Sequence, residues 1–151
     1  MRHLLTIGAA LSWSICAHAD PDLIGRWVSD RETSAAFNEQ HVQMEQRTAS
    51  FLRQSMGRLN VTFTAATVVW RMPDFDATIE GGKRSIVGFD ESHPYETLGS
   101  TANAVAIRTK EPVSGTEVIY VYNFEGPDKM WVYVSTLGTH LREYFVRVRE
   151  G

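Results

Sequence analysis

Val118-Ile119-Tyr120-Val121-Tyr122-Asn123-Phe124, then Glu125-Gly126-Pro127-Asp128, then Lys129-Met130-Trp131-Val132-Tyr133-Val134, is the stretch that decides the fold class. Val118, Tyr120, Tyr122 and Phe124 share one face and Trp131 and Tyr133 share another, a period of two that extended strands give and helices do not. Gly126-Pro127-Asp128 supplies turn formers between the runs. So short a link makes the two strands antiparallel.

The same grammar extends in both directions. Downstream, Leu137-Gly138-Thr139 turns the chain into Leu141 to Val148. Upstream, Val105 and Ile107 lead through Pro112-Val113-Ser114-Gly115 to Val118. Gly81-Gly82, between Ala77–Glu80 and Arg84–Val87, is a two-residue hairpin turn, because both positions accept positive φ. Leu59, Val61 and Phe63 alternate with polar residues, Val68, Trp70 and Met72 suggest the next strand, and Leu23 to Val28 a short first one. The expected fold is mainly β: an antiparallel up-and-down meander of roughly eight to ten strands. It closes into a barrel because closure removes exposed edges.

One segment breaks the period. Ser29-Asp30-Arg31-Glu32 has capping-box spacing. From about Thr33 to Met56, Phe37, His41, Met44, Thr48, Phe51, Leu52 and Met56 recur every three or four residues, and Gly57 suits a left-handed helix end. One amphipathic helix, about 33–56, is expected between the first and second strands, packed across an open end of the barrel or along one side.

The amino terminus reads as an export signal. Arg2 and His3 precede an apolar run from Leu4 to Ile15, and Ala17-His18-Ala19 offers small residues for cleavage before Asp20. The run is shorter than the roughly 20 residues a membrane-spanning helix needs. Trp13-Ser14-Ile15 ahead of Cys16 does not fit a lipid-attachment signal, so the single cysteine leaves with the signal and no disulfide forms. Residues 20–151 then make a single domain, periplasmic or secreted, of a size that folds without staples. The whole chain carries 15 basic and 18 acidic side chains with no block of one sign, which argues against a nucleic-acid partner. No second apolar run reaches spanning length, so the mature chain has no integral membrane segment.

Gly25-x-Trp27 opening the first strand of a small exported meander resembles the lipocalin-like (calycin-type) group. The resemblance implies a barrel closed at one end by the tryptophan, packed under an arginine of the last strand. Arg142, Arg147 and Arg149 all stand in that strand. Arg142 shares the alternation of Tyr144, Val146 and Val148, whereas Arg147 and Arg149 lie nearer the strand end; only Gly25 and Trp27 are assigned to barrel closure. The long helix between the first two strands departs from the lipocalin pattern.

Little here carries catalysis. His41, His93 and His140 lack ligand spacing, so no metal is expected. There is no Gly-x-Ser-x-Gly and no retained cysteine. Asp74 and Asp76, like Asp90 and Glu91, fall at predicted turns where solvated carboxylates are the norm. No catalytic residue, cofactor or enzymatic activity is expected.

The strand aromatics read either as ordinary core packing or as the lining of a cavity. On the second reading Trp70, Tyr120, Tyr122, Phe124, Arg142 and Tyr144 bind the ligand, with Arg142 at the mouth suited to an anionic head group. The expected function is that of an exported protein holding a small apolar or amphipathic molecule in a cavity of roughly 300 Å³ or more. The alternative is a protein-binding module, an inhibitor or immunity protein directed at a cell-wall enzyme or toxin. Its contacts would come from projecting segments at Asp74-Phe75-Asp76 and Asp90 to Tyr95.

Overall fold

The computed structural model describes residues 21–79, 81–134 and 140–149. The expected export signal over 1–19 and the Leu137-Gly138-Thr139 turn lie outside the described residues. Eleven strands and two helices follow in the order β1 (Gly25–Ser29), α1 (Arg31–His41), α2 (Gln46–Ser55), β2 (Asn60–Phe63), β3 (Thr67–Met72), β4 (Phe75–Ile79), β5 (Gly82–Ile86), β6 (Phe89–Pro94), β7 (Glu96–Thr101), β8 (Ala104–Lys110), β9 (Glu117–Phe124), β10 (Lys129–Tyr133) and β11 (Arg142–Val148). No helix among the described residues is long and apolar enough to cross a membrane.

Nine strands form one antiparallel sheet, ordered β6-β3-β2-β1-β11-β10-β9-β8-β7, and β4-β5 make a separate hairpin. The outermost strands of that order, β6 and β7, are separated in the chain by Tyr95 alone. One residue spans roughly 3.3 Å, so the two edges of the sheet must meet, and the sheet rolls into a nearly closed barrel. In effect a single bent strand bridges the seam: β6 pairs with β3 and β7 with β8. Tyr95 pins the bend to the β2–β3 turn, its N–H donating to the Ala66 carbonyl at 3.2 Å and its hydroxyl to the Thr64 carbonyl at 2.8 Å. Across the seam, β6 and β8 share no backbone ladder; Thr109 Oγ1 donates to the Pro94 carbonyl at 2.9 Å.

Inside the barrel, Trp27, Phe63, Val68, Ile107, Tyr122 and Phe145 pack into one core, each nearly inaccessible to solvent. One end is closed by Trp27, whose indole N–H donates to the Leu23 carbonyl at 2.8 Å. Of the three candidate arginines, Arg147 covers it, its guanidinium 4.3 Å from the ring and donating to the carbonyls of Ile24 and Asp22 at 2.6 Å each. Gly25 sits beneath that guanidinium at φ +130°, where a Cβ would lie 2.9 Å from Arg147 Nη1. The glycine is thus required both by its backbone and by the approach of the arginine.

The expected single helix is two. A continuous helix over 33–56 would run about 36 Å. The chain instead leaves helical geometry over 42–45, and the break lets Val42 and Met44 pack on a small cluster of Leu52, Met56 and Leu141. The N-cap is Asp30, one residue beyond the Ser29 of the expected capping box; Asp30 Oδ1 accepts from the Thr33 N–H at 3.1 Å. Ser29 is the buried end of β1 instead. The expected apolar face also gives way on α1, where the buried residues are Ser34 and Asn38 and His41 is exposed.

Those buried polar residues explain how the helices dock. β1 ends at Ser29, and past the Asp30 N–H, which donates to the Tyr144 carbonyl at 2.7 Å, the Tyr144 N–H and the Arg142 backbone of β11 have lost their neighbour strand. Asn38 replaces it, donating from Nδ2 to the Arg142 carbonyl at 2.8 Å and accepting the Arg142 N–H at 2.9 Å. One helical turn earlier Ser34 Oγ accepts the Tyr144 N–H at 2.9 Å. Gln54 of α2 repeats the device on β4, exchanging hydrogen bonds of 2.9 and 2.7 Å with the backbone of Thr78.

The Gly81-Gly82 hairpin forms as expected, with φ of +101° and +131° at the two glycines. Both of the segments expected to project are strands: Phe75 opens β4 as a buried residue between exposed Asp74 and Asp76, with Arg58 4.4 Å over its ring, and Asp90 to Pro94 lie on the mostly exposed strand β6.

Candidate functional site

Strand alternation sorts the side chains of each barrel wall. On β9, Tyr120, Tyr122 and Phe124 point inward, as the period of two predicts. On β10 the inward residues are Met130 and Val132. On β11 they are Glu143, Phe145 and Arg147, and the outward ones are Arg142 and Tyr144.

A cavity of about 120 Å³ lies at the end of the barrel away from Trp27. The order along the strands fixes this placement. Phe124 meets Trp27 edge-on at 5.9 Å while Tyr120 and Tyr122 line the cavity, and Arg147 covers Trp27 while Glu143 and Phe145 line it. Val61, Val132 and Phe145 give it an apolar floor, and Trp70, Phe89, Tyr120 and Tyr122 an aromatic wall. Its lining crosses the seam, from Phe89 on β6 to Glu111 and Pro112 beyond β8. The volume is well below the expected 300 Å³, because aromatic side chains fill most of the interior. At roughly 30 Å³ per water, it holds the equivalent of about four waters.

Two carboxyl groups face this space. Glu111 is 7 % exposed, and its Oε2 accepts from the backbone N–H groups of Val113 and Ser114, which shapes the β8–β9 turn. Glu143 Oε1 accepts a 2.6 Å hydrogen bond from Ser29 Oγ, which in turn accepts the Gly57 N–H at 2.9 Å. No described residue donates to the second oxygen of Glu143. Burial pushes the Glu143 carboxyl above its ordinary range, and the Ser29 hydrogen bond only partly opposes this. Burial likewise raises the Tyr122 phenol.

A pH dependence follows from Glu143. The groups around it are Ser29 from β1, Tyr122 from β9, Tyr133 from β10 and Glu111 beyond β8, none of them basic. The folded chain holds the proton more tightly than the unfolded chain. Stability from this group is therefore fully present below the ordinary glutamate pKa and is lost as pH rises through the higher folded value. Each pH unit in that interval costs about 1.4 kcal/mol. Glu143→Gln is expected to remove this slope and to be more stable than the parent at pH 7, with the two converging below pH 4. Urea unfolding across that range checks it; parallel pH profiles would contradict it.

Of the sequence-predicted residues, the structure brings Trp70, Tyr120 and Tyr122 together at the cavity. Phe124 shares their face but belongs to the Trp27 end. Arg142 and Tyr144 stand on the outer surface of the barrel against α1. There the Arg142 guanidinium lies 3.7 Å over Trp131 and 4.2 Å over Phe37. Sequence reasoning did not single out Glu111, Glu143 or Phe89, and it read Ser29 only as a helix cap. The one available signal was that Glu143 shares the alternation of Phe145.

Among the described residues no group of three or more His, Cys, Asp or Glu side chains is placed to hold a metal ion. His93 sits beside Trp70 at 6.0 Å between rings, while His41 and His140 are exposed. No family model, curated protein or solved structure matches this chain.

Proposed function

We propose that this protein is an exported binding module whose barrel takes one small amphipathic molecule into the cavity between Trp70, Tyr120 and Glu143. The observation that carries the reading is a mostly apolar cavity with a few convergent polar groups, the usual composition of a small-molecule site. It lies where the barrel wall has no backbone ladder, so a molecule can enter between β6 and the β8–β9 turn without unzipping strands. Its volume limits the ligand to a handful of non-hydrogen atoms. The likeness to lipocalin-type barrels is supported by Gly25, Trp27 and Arg147 acting together at the closed end. In this reading residues 1–19 are removed on export and binding takes place in the periplasm or beyond.

The test is NMR titration of the purified protein with small alcohols, amines and carboxylic acids. At least one class is expected to shift the Trp70 indole and the Val61 and Val132 methyl signals while leaving Trp27 unmoved. Val132→Phe, which fills the cavity, is expected to abolish those shifts. If no probe moves the cavity signals, the space is a packing void and the reading falls.

A further inference from the structure

We infer that the cavity selects a small cationic amine, held between aromatic faces and the carboxyl groups of Glu111 and Glu143. The inference rests on the binding reading above and adds the sign of the ligand's charge. Trp70, Phe89, Tyr120 and Tyr122 contribute ring surface to the wall, and the charged side chains in the lining are both acidic. No Lys, Arg or His of the described residues lines it. The remaining residues of the β10–β11 link, 135–139, read Ser-Thr-Leu-Gly-Thr and add no basic side chain.

Arg142, the nearest cation along β11, is turned away. Its guanidinium is stacked on Trp131 and Phe37 at the outer surface, and its reach toward the barrel end stops at the Tyr133 hydroxyl, 3.4 Å from Nη2. An anion entering this space meets two carboxyl groups and no counter-charge. An ammonium meets a wall of aromatic side chains, whose ring faces attract cations most strongly where water is excluded. It also meets the second oxygen of Glu143, to which no described residue donates.

Charge also links binding to a proton. At a pH below the raised Glu143 value, an alkylammonium that docks beside the carboxylic acid displaces its proton to solvent, and the carboxylate pairs with the cation. Ser29 keeps its hydrogen bond to Oε1, and neither Tyr122, Tyr133 nor Glu111 offers a positive charge that would compete.

The experiment compares three molecules of one carbon skeleton, isobutylammonium, isobutanol and isobutyrate, titrated into the purified protein and read by Trp70 and Val132 NMR shifts and by calorimetry in two buffers. Isobutylammonium is expected to bind at least tenfold more tightly than isobutanol, and isobutyrate least tightly of the three; amine binding releases a proton that the buffers report where the pH lies below the raised Glu143 value. Glu143→Gln is expected to bring the amine to within about threefold of the alcohol. Glu111→Gln provides a second, separate test of the charge. Isobutanol or isobutyrate binding as tightly as the amine would overturn the cationic inference and leave the binding module standing. Failure of all three to shift the cavity signals would overturn both.

Discussion

Trp27→Ala is expected to cost about 3–5 kcal/mol of folding stability, the range for truncating a large buried aromatic. Trp27 is completely buried, it is edge-on to Phe124, and its indole N–H is satisfied by Leu23. Its removal opens a cavity under Arg147, whose guanidinium loses the ring face on which it rests while keeping its bonds to the Asp22 and Ile24 carbonyls. Arg147→Ala alone should cost less, since three backbone carbonyls, those of Asp22, Ile24 and Pro127, lose a donor near the surface, where water can replace it. The stack itself contributes about 0.5–2 kcal/mol. A double-mutant cycle in urea is therefore expected to show Trp27→Ala and Arg147→Ala coupled by that amount. Additive costs would mean that the arginine covers the tryptophan without being held by it.

Asn38→Ala is expected to cost about 2–6 kcal/mol, from two buried backbone groups each left unpaired at about 1–3 kcal/mol. The Arg142 N–H and carbonyl have no strand partner beyond the end of β1, and Asn38 supplies both of their bonds from a position that is 2 % exposed. Asn38→Leu should be no better, because it fills the volume and restores neither bond. Hydrogen exchange separates this from a general loss of stability. The Arg142 and Tyr144 amides are expected to exchange faster in Asn38→Ala while Trp27 and Phe63 keep their protection. Unchanged exchange at Arg142 would show that α1 docks through Phe37 and not through its amide.

The same strand shows why part of the candidate site was illegible in the sequence. In a half-buried strand the apolar residues mark the core face, and on β9 the reading of Tyr120 and Tyr122 from alternation places them at the cavity. On β11 both faces are covered, one by the barrel interior and the other by α1, so Tyr144 and Phe145 are both buried although they point in opposite directions. A strand buried on both sides loses its period. Choosing Tyr144 as the inward residue then puts Arg142 inside and Glu143 outside, the reverse of the structure. That exchange also inverts the charge of the cavity, from a site for anions to one lined by carboxyl groups.

β6 and β7 were hidden for a related reason. Phe89 to Thr101 is mostly exposed and polar, with Pro94 in its middle, and it is a strand because it bridges the seam. The helical segment was legible as helix but not as a pair, since the break at 42–45 is set by the cluster around Leu141, about a hundred residues away in the chain.

By itself, then, the sequence determined the local geometry: period-two runs joined by Gly, Pro and Asp turns, a helical segment after β1, and a glycine two residues before a tryptophan. These are properties of neighbours along the chain, fixed by backbone sterics and alternation. Only the tertiary structure decided which arginine covers Trp27, which face of β11 looks inward, where α1 turns its buried amide, and that two glutamates meet six aromatic rings in one small space. Each of those depends on which surface covers a strand from outside, a contact between residues distant in the chain that no local period records.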